Sequence, residues 1–224
     1  MFEHPNHPSE VEDIHKGKRA IVCGSAPSLN DIDFDKVSDN NIIFACNQSV
    51  TAMSKCDYFC MTDHAVPKNN FFEYGVNIST KIATWGDFYN AQKIKDIHDQ
   101  LKDKIYFFER DGSNMFDFNK KDKFIVGVDS VQCATHLAYI TGCNEIVLAG
   151  VDLQHTDGKI YCDSKIYEEE VDWNGHVSDN GTLDLSFNNW KDIVSNNDAT
   201  FLTVNKESRL TQLMQTLPIK SLYC

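Results

Sequence analysis

Short unbroken apolar runs recur along the chain: RAIVC (19–23), NIIFAC (41–46), DYFCM (57–61), KIATW (81–85), KIYFF (104–108), EIVLA (145–149) and TFLTV (200–204). Each has the length of a strand, and none alternates apolar with polar, so each predicts a strand covered on both faces. Between two of them, Val128, Val131, Ala134, Leu137 and Ala138 recur at spacings of three and four. This predicts a helix over 128–141 closed by Gly142. Residues 89–101, 185–194 and 209–217 read as further helices. Strands alternating with helices predict an α/β fold: a Rossmann-like, mainly parallel sheet flanked by helices. Residues 160–182 break the pattern. They are polar, contain three consecutive Glu (168–170), and read as a lid or loop over the sheet edge.

Length adds the domain count. The chain has 224 residues, 42% of them hydrophobic, enough for one domain whose core needs no metal or disulfide staple. Residues 1–17 read as a loose N-terminal arm and 18–224 as a single α/β domain. A formal charge of −12, with 33 acidic and 21 basic side chains and no basic cluster, argues against a nucleic-acid partner. No apolar run approaches the ~20 residues of a membrane helix, and the polar first 20 residues are not a secretory signal. The eight Cys include no C-x-x-C pair, so they read as reduced thiols of a cytoplasmic protein rather than a zinc site.

Candidate chemistry gathers where strands end. Gly24, Ser25, Ala26, Pro27 and Ser28 follow the first strand, where backbone N–H groups can approach a phosphate. This is not the dinucleotide fingerprint: Ala26 and Leu29 stand at its second and third glycines, and the second strand ends in Asn47 and Gln48 rather than in a carboxylate for a ribose diol. Neutral amides suit a base or sugar that offers both donors and acceptors. Ser28 lacks the elbow glycines of a hydrolase nucleophile. Asp31, Asp33 and Asp35 follow a turn and read as a solvated capping segment. Asp152 falls at the carboxyl end of EIVLA, where open α/β sheets hold ligands, and Gln154 follows it. His176, in the polar segment, has the side chain suited to moving a proton near neutral pH. His136 reads as a packed helix histidine.

Three segments in order carry a resemblance. AIVCGSAPSLNDID followed by FACNQS, the unit GVDSVQCATHLAYITGCNEIVLAGVD, and NGHVSD resemble the small bacterial sialyltransferases of glycosyltransferase family 42. That resemblance implies a GT-A-like variant of the Rossmann arrangement. It also implies metal-independent transfer of a sialic acid or other nonulosonate from a CMP-activated donor to a glycan hydroxyl, with no cofactor. His176 would be the general base and Tyr161 would donate to the departing phosphate. Residues 24–28, Asn47, Gln48, Asp63, Gly127, Asp152 and Gln154 would line the substrate, and the helix after Gly127 would add its dipole. Gln154 stands where that family has the first of two tyrosines, and Val126 stands where it has a serine. GVDLQHTDGKIY, WKDIV and TVN are also similar to the 6-hydroxymethylpterin diphosphokinase (MptE-like) and motility-accessory-factor proteins. Their resemblance implies a diphosphotransferase acting on a pterin, with Mg²⁺ on carboxylates such as Asp63 and Asp152. A non-catalytic nucleotide-binding module is the third reading. Homo-oligomerisation stays open.

Overall fold

The computed structural model describes residues 8–62, 71–85, 101, 103–111, 116–119, 121, 123–125, 129–154, 162 and 180–224. Asp63, Gly127, Tyr161, His176 and most of 160–182 and 89–101 lie outside the described residues.

Among the described residues, nine strands form one parallel sheet: β1 (Arg19–Cys23), β2 (Asn41–Cys46), β3 (Cys56–Met61), β4 (Ser79–Trp85), β5 (Ile105–Asp111), β6 (Lys123–Ile125), β7 (Glu145–Ala149), β8 (Thr200–Thr203) and β9 (Gln215–Thr216). Their order is β6-β5-β4-β3-β2-β1-β7-β8-β9. The chain winds outward from β1 in one direction through β6, then returns to the other side of β1 with β7. The order therefore reverses between β1 and β7, where Arg19 pairs with Glu145 and Cys23 with Ala149. In open α/β sheets, ligands occupy the crevice at the carboxyl ends of the strands flanking such a reversal.

The continuous apolar strands are explained by two cores. Ile21, Cys23, Ile43, Ala45, Phe59, Val147 and Ala149 point to one face, with α1 (Phe71–Ile78) and the carboxyl-terminal segment packed over them. Ala20, Val22, Phe44, Tyr58, Ile146 and Leu148 point to the other, under α2 (Ser130–Ile140) and α3 (Asn180–Asn196). Alternate residues of one strand thus serve opposite cores, so the central strands are apolar at nearly every position. Gly142 follows α2 at φ +92°, the left-handed closure its position predicts.

Three elements were not legible beforehand. β6 and β9 are too short for a pattern. In α1, Gly75 weighs against a helix by propensity, yet packing requires it: a Cβ there would lie 2.6 Å from the Phe59 ring. The helix expected over 209–217 is not formed. A 3-10 turn, Arg209–Gln212, gives way to β9. Ser208 accepts from Leu210 N–H at 3.1 Å and donates to the Val151 carbonyl at 2.7 Å, which ties the turn to the end of β7. Leu217 N–H then reaches Thr203 O at 2.8 Å, drawing the chain alongside β8. The described part of the arm is also packed down. Val11 is fully buried, and His15 N–H donates to Thr141 O at 2.7 Å. All eight Cys are unpaired thiols, seven of them buried.

Candidate functional site

The carboxyl ends of β1 and β7 are joined by two glycines. Gly24 N–H donates to Ala149 O at 2.8 Å, and Ala26 N–H donates to Gly150 O at 2.9 Å. A Cβ on Gly24 would lie 2.5 Å from the Gly150 carbonyl oxygen, and one on Gly150 would lie 2.5 Å from the Gly24 oxygen. Gly150 also takes φ +63°. The chain then turns into a 3-10 helix, Pro27–Asp31, with Pro27 pre-setting its first φ.

Asp152 fastens this turn. The residue is 1% exposed. Its Oδ1 accepts from Ser28 Oγ at 2.5 Å and from Asn205 Nδ2 at 2.7 Å, and its Oδ2 accepts from Ser28 N–H at 3.3 Å. The Asp152 carbonyl accepts from Arg209 N–H at 3.2 Å. One carboxylate therefore joins the loops after β1, β7 and β8. Both of its oxygens accept hydrogen bonds within the chain, Oδ2 only the longest of the three. Among the described residues, no group of three or more His, Cys, Asp or Glu is placed to hold a metal ion. Gln154 is similarly engaged, donating to Glu207 O at 2.6 Å.

These bonds narrow the phosphate cradle expected of residues 24–28. Pro27 has no N–H, and those of Gly24, Ala26 and Ser28 are taken. Ser25 N–H has no partner among the described residues, while its carbonyl accepts from Cys162 N–H at 2.7 Å. The helix dipole is also met internally. Asp129 caps α2, accepting from Gln132 N–H at 2.9 Å and from Ser186 Oγ at 2.5 Å. Burial pushes the Asp129 carboxyl above its ordinary range, and the bonds from Ser186, Gln132 and Val131 oppose that rise. A donor phosphate expected at this helix end would find the chain's own carboxylate there.

A second set of groups stands one strand over. Asn47 follows β2 with φ 47°, a left-handed conformation that Asn tolerates. Its Nδ2 donates to Ser130 Oγ at 2.9 Å, at the first residue of α2. Ser130 Oγ also bonds the Thr62 hydroxyl, just past β3. Nδ2 is only a donor, so Ser130 must accept from it. The Ser130–Thr62 bond then uses one of the two hydroxyl protons and leaves the other without a partner among the described residues. Among the described residues, the Asn47 carbonyl oxygen is buried without a partner. Gln48, in the 3-10 helix Asn47–Ala52, is buried beside it in sequence. Residues 24–28 and Asn47 thus stand at the carboxyl edge of the sheet, on neighbouring strands paired in parallel with Cys23 opposite Ala45.

Thr62, Ser130 and Asn205 belong to this region and were not singled out in the sequence. Ser130 lies beside a helix-capping Asp129, a signal that points to the helix start but not to Asn47. Asn205 stood out only as the end of TVN. Among the described residues, His136 is structural. His136 is fully buried, with Nε2 at 3.2 Å from Phe118 O and its ring stacked 4.9 Å from that of Phe118. Asp33 and Asp35, from the acidic run, pair with Lys36 at 2.7 Å and accept from Ser54 at 2.7 Å, respectively.

A family model described as 6-hydroxymethylpterin diphosphokinase MptE-like matches residues 2–158. The chain belongs to this MptE-like family. No curated protein matches it. Solved structures share the fold of this MptE-like chain. The sialyltransferase CstII from Campylobacter jejuni, in complex with the substrate analogue CMP-3FNeuAc, is 15% identical with a TM-score of 0.57, over 90% of this chain and 87% of that one. CstII with cytidine-5'-monophosphate is 18% identical with a TM-score of 0.56, over 91% and 86%. The monofunctional alpha-2,3-sialyltransferase Cst-I from Campylobacter jejuni is 15% identical with a TM-score of 0.54, over 90% and 81%. At these identities the likeness concerns the fold. Among the described residues of the MptE-like chain, no helix is long and apolar enough to cross a membrane.

Proposed function

We propose that the chain is a glycosyltransferase that moves a sialic acid or related nonulosonate from a CMP-activated donor to a glycan hydroxyl, without a metal. The observation that carries this reading is the set of neutral groups past the ends of β2 and β3: among the described residues, Asn47, Ser130 and Thr62 offer one unpaired carbonyl and one remaining hydroxyl proton where a diol-binding carboxylate would otherwise stand.

In this reading the nucleotide phosphate approaches Ser25 N–H, and Asn47 and Gln48 read the cytidine or the sugar. His176 takes the proton from the acceptor hydroxyl as its oxygen bonds the anomeric carbon. The bond from that carbon to the phosphate oxygen breaks, CMP leaves with the electron pair, and Tyr161 donates a hydrogen bond to the phosphate. The transition state is oxocarbenium-like, so a base and leaving-group stabilisation are its two needs.

A second reading, a diphosphotransferase that carries a diphosphate from ATP to a pterin, is supported by the family match over residues 2–158. It needs Mg²⁺, which carboxylates such as Asp63 and Asp152 would hold. A thermal-shift series with CMP, CDP, UDP, GDP and ATP, each with Mg²⁺ or with EDTA, separates the two. The sugar-transfer reading expects a rise with CMP that EDTA leaves unchanged, and turnover of a CMP-activated sugar that His176→Ala abolishes. Stabilisation by ATP only in the presence of Mg²⁺, with CMP inert, overturns it. Binding of CMP by a wild-type chain that turns over no donor would instead indicate a nucleotide-binding module.

A further inference from the structure

The opposite, amino edge of the sheet carries a cavity of about 540 Å³, open to solvent, at the starts of β1, β2 and β7. Its walls include Lys16, Lys18, Arg19, Asn40, Asn144 and Glu145. Its volume lies within the range of small-molecule sites. Its charge runs against that of the whole chain: Lys16, Lys18 and Arg19 outnumber Glu145 and the terminal carboxylate of Cys224 on its walls, in a protein of net charge −12. Glu145 is already taken, because it pairs with the Arg19 Nε. Neither Lys16 nor Lys18 has an ion-pair partner among the described residues, so the wall they form keeps its positive charge.

The wall is held in place. Arg19 also donates from a terminal nitrogen to Ser221 O at 3.0 Å. The loop carrying the two lysines is fixed to the end of α2 by Asp13 N–H on Ile140 O at 3.0 Å, His15 N–H on Thr141 O at 2.7 Å and Gly17 N–H on Gly142 O at 3.3 Å. The approach is close enough that a Cβ on Gly142 would sit 3.0 Å from Lys16 Cα. A binding surface fixed in advance gives up little conformational freedom on binding.

We infer that this cavity is a second ligand site, separate from the carboxyl-edge crevice, that takes a small phosphate-bearing anion. Two neighbouring ammonium groups without ion-pair partners among the described residues can meet the several oxygens of one phosphate. Lysine serves phosphate as a compact point charge, and the amides of Asn40 and Asn144 add neutral hydrogen bonds at the rim. The phosphate could come as a free inorganic anion or as an ester on a nucleoside or sugar.

The test is amide NMR on the full chain, with sodium pyrophosphate, CMP and a hexose phosphate titrated separately at low salt. All three are expected to move the Gly17 and Gly142 resonances if the site accepts esters. Only pyrophosphate is expected to move them if the site takes free inorganic anions. The double variant K16E/K18E, with both lysines exposed, keeps the wild-type melting temperature and weakens binding by at least about tenfold. K16Q/K18Q repeats the loss without charge reversal. If no titrant moves Gly17 or Gly142 at about 5 mM, or if K16E/K18E binds as wild type does, the inference is overturned. Resonances near Asn47 report the carboxyl-edge reading separately, so failure of one reading does not mimic failure of the other.

Discussion

Gly24 and Gly150 face each other across β1 and β7 so closely that a methyl group on either would sit 2.5 Å from the other's carbonyl oxygen. This contact sets the floor of the crevice where the strand order reverses. It also explains why the turn after β1 donates two of its N–H groups to β7.

Gly150→Ala tests that contact directly. Its φ of +63° is strained for alanine, and the new methyl would also lie 2.9 Å from Leu29 Cβ. The expected cost exceeds about 2 kcal/mol in urea unfolding, with CMP binding lost as well. Gly17→Ala is the control. Its φ is +76°, but nothing lies within 4 Å of the added carbon, so the loss should stay near 1 kcal/mol. Equal losses at the two positions would show that close approach is not what Gly150 provides.

Asp152→Asn keeps the shape but turns an amide N–H₂ toward Ser28 or Asn205, both of which donate to the carboxylate. The expected destabilisation is roughly 3 kcal/mol by chemical denaturation, since buried bonds to a charged acceptor are the strong ones. Mg²⁺ dependence of any activity should be unchanged. A selective loss of Mg²⁺ response in a stably folded D152N would make Asp152 a metal ligand after all.

Asp129 gives a pH signature. Its folded pKa is raised, chiefly by desolvation, so the stabilisation it permits is full below the ordinary value of 3.8 and is lost as pH rises through the folded value. Asp129→Asn removes that loss while its carbonyl still accepts from Gln132 N–H. Melting temperatures taken from pH 3.5 upward should show wild type falling relative to D129N across this window. A constant difference between the two proteins would contradict the assignment.

His15 titrates in the opposite sense. Its Nε2 lies 3.0 Å from the Tyr58 hydroxyl, and half-burial lowers its pKa below 6.5, an effect partly offset by Asp57. Folding therefore favours the neutral ring, and its contribution is present above pH 6.5 and lost as pH falls through the folded value. His15→Gln should flatten the decline in melting temperature between pH 7 and 5. An unchanged slope would place the acid sensitivity elsewhere.

Much of this architecture was legible from residue pattern. The first, second and seventh strands begin and end where their runs do, because past a polar first residue a strand buried on both faces is apolar throughout. The helix before Gly142 was readable for a related reason, its spacing and its left-handed stop both being local. The segment 209–217 misled because its apolar spacing suits a helix, whereas Ser208 and the free edge of β8 offered it other partners.

By itself the sequence determined seven of the nine described strands, that they lie in a covered parallel sheet, and that Asn47, Asp152 and residues 24–28 fall at strand ends. Apolar periodicity and turn glycines are properties of neighbouring residues, and they survive without knowledge of the partner. Only the tertiary structure decided which donors remain available. It joined Asp152 to Ser28 and Asn205, joined Asn47 to Ser130, and set Asp129 on the helix end that a phosphate was expected to use. Hydrogen bonds between residues tens of positions apart depend on strand order and register, and no local pattern encodes them.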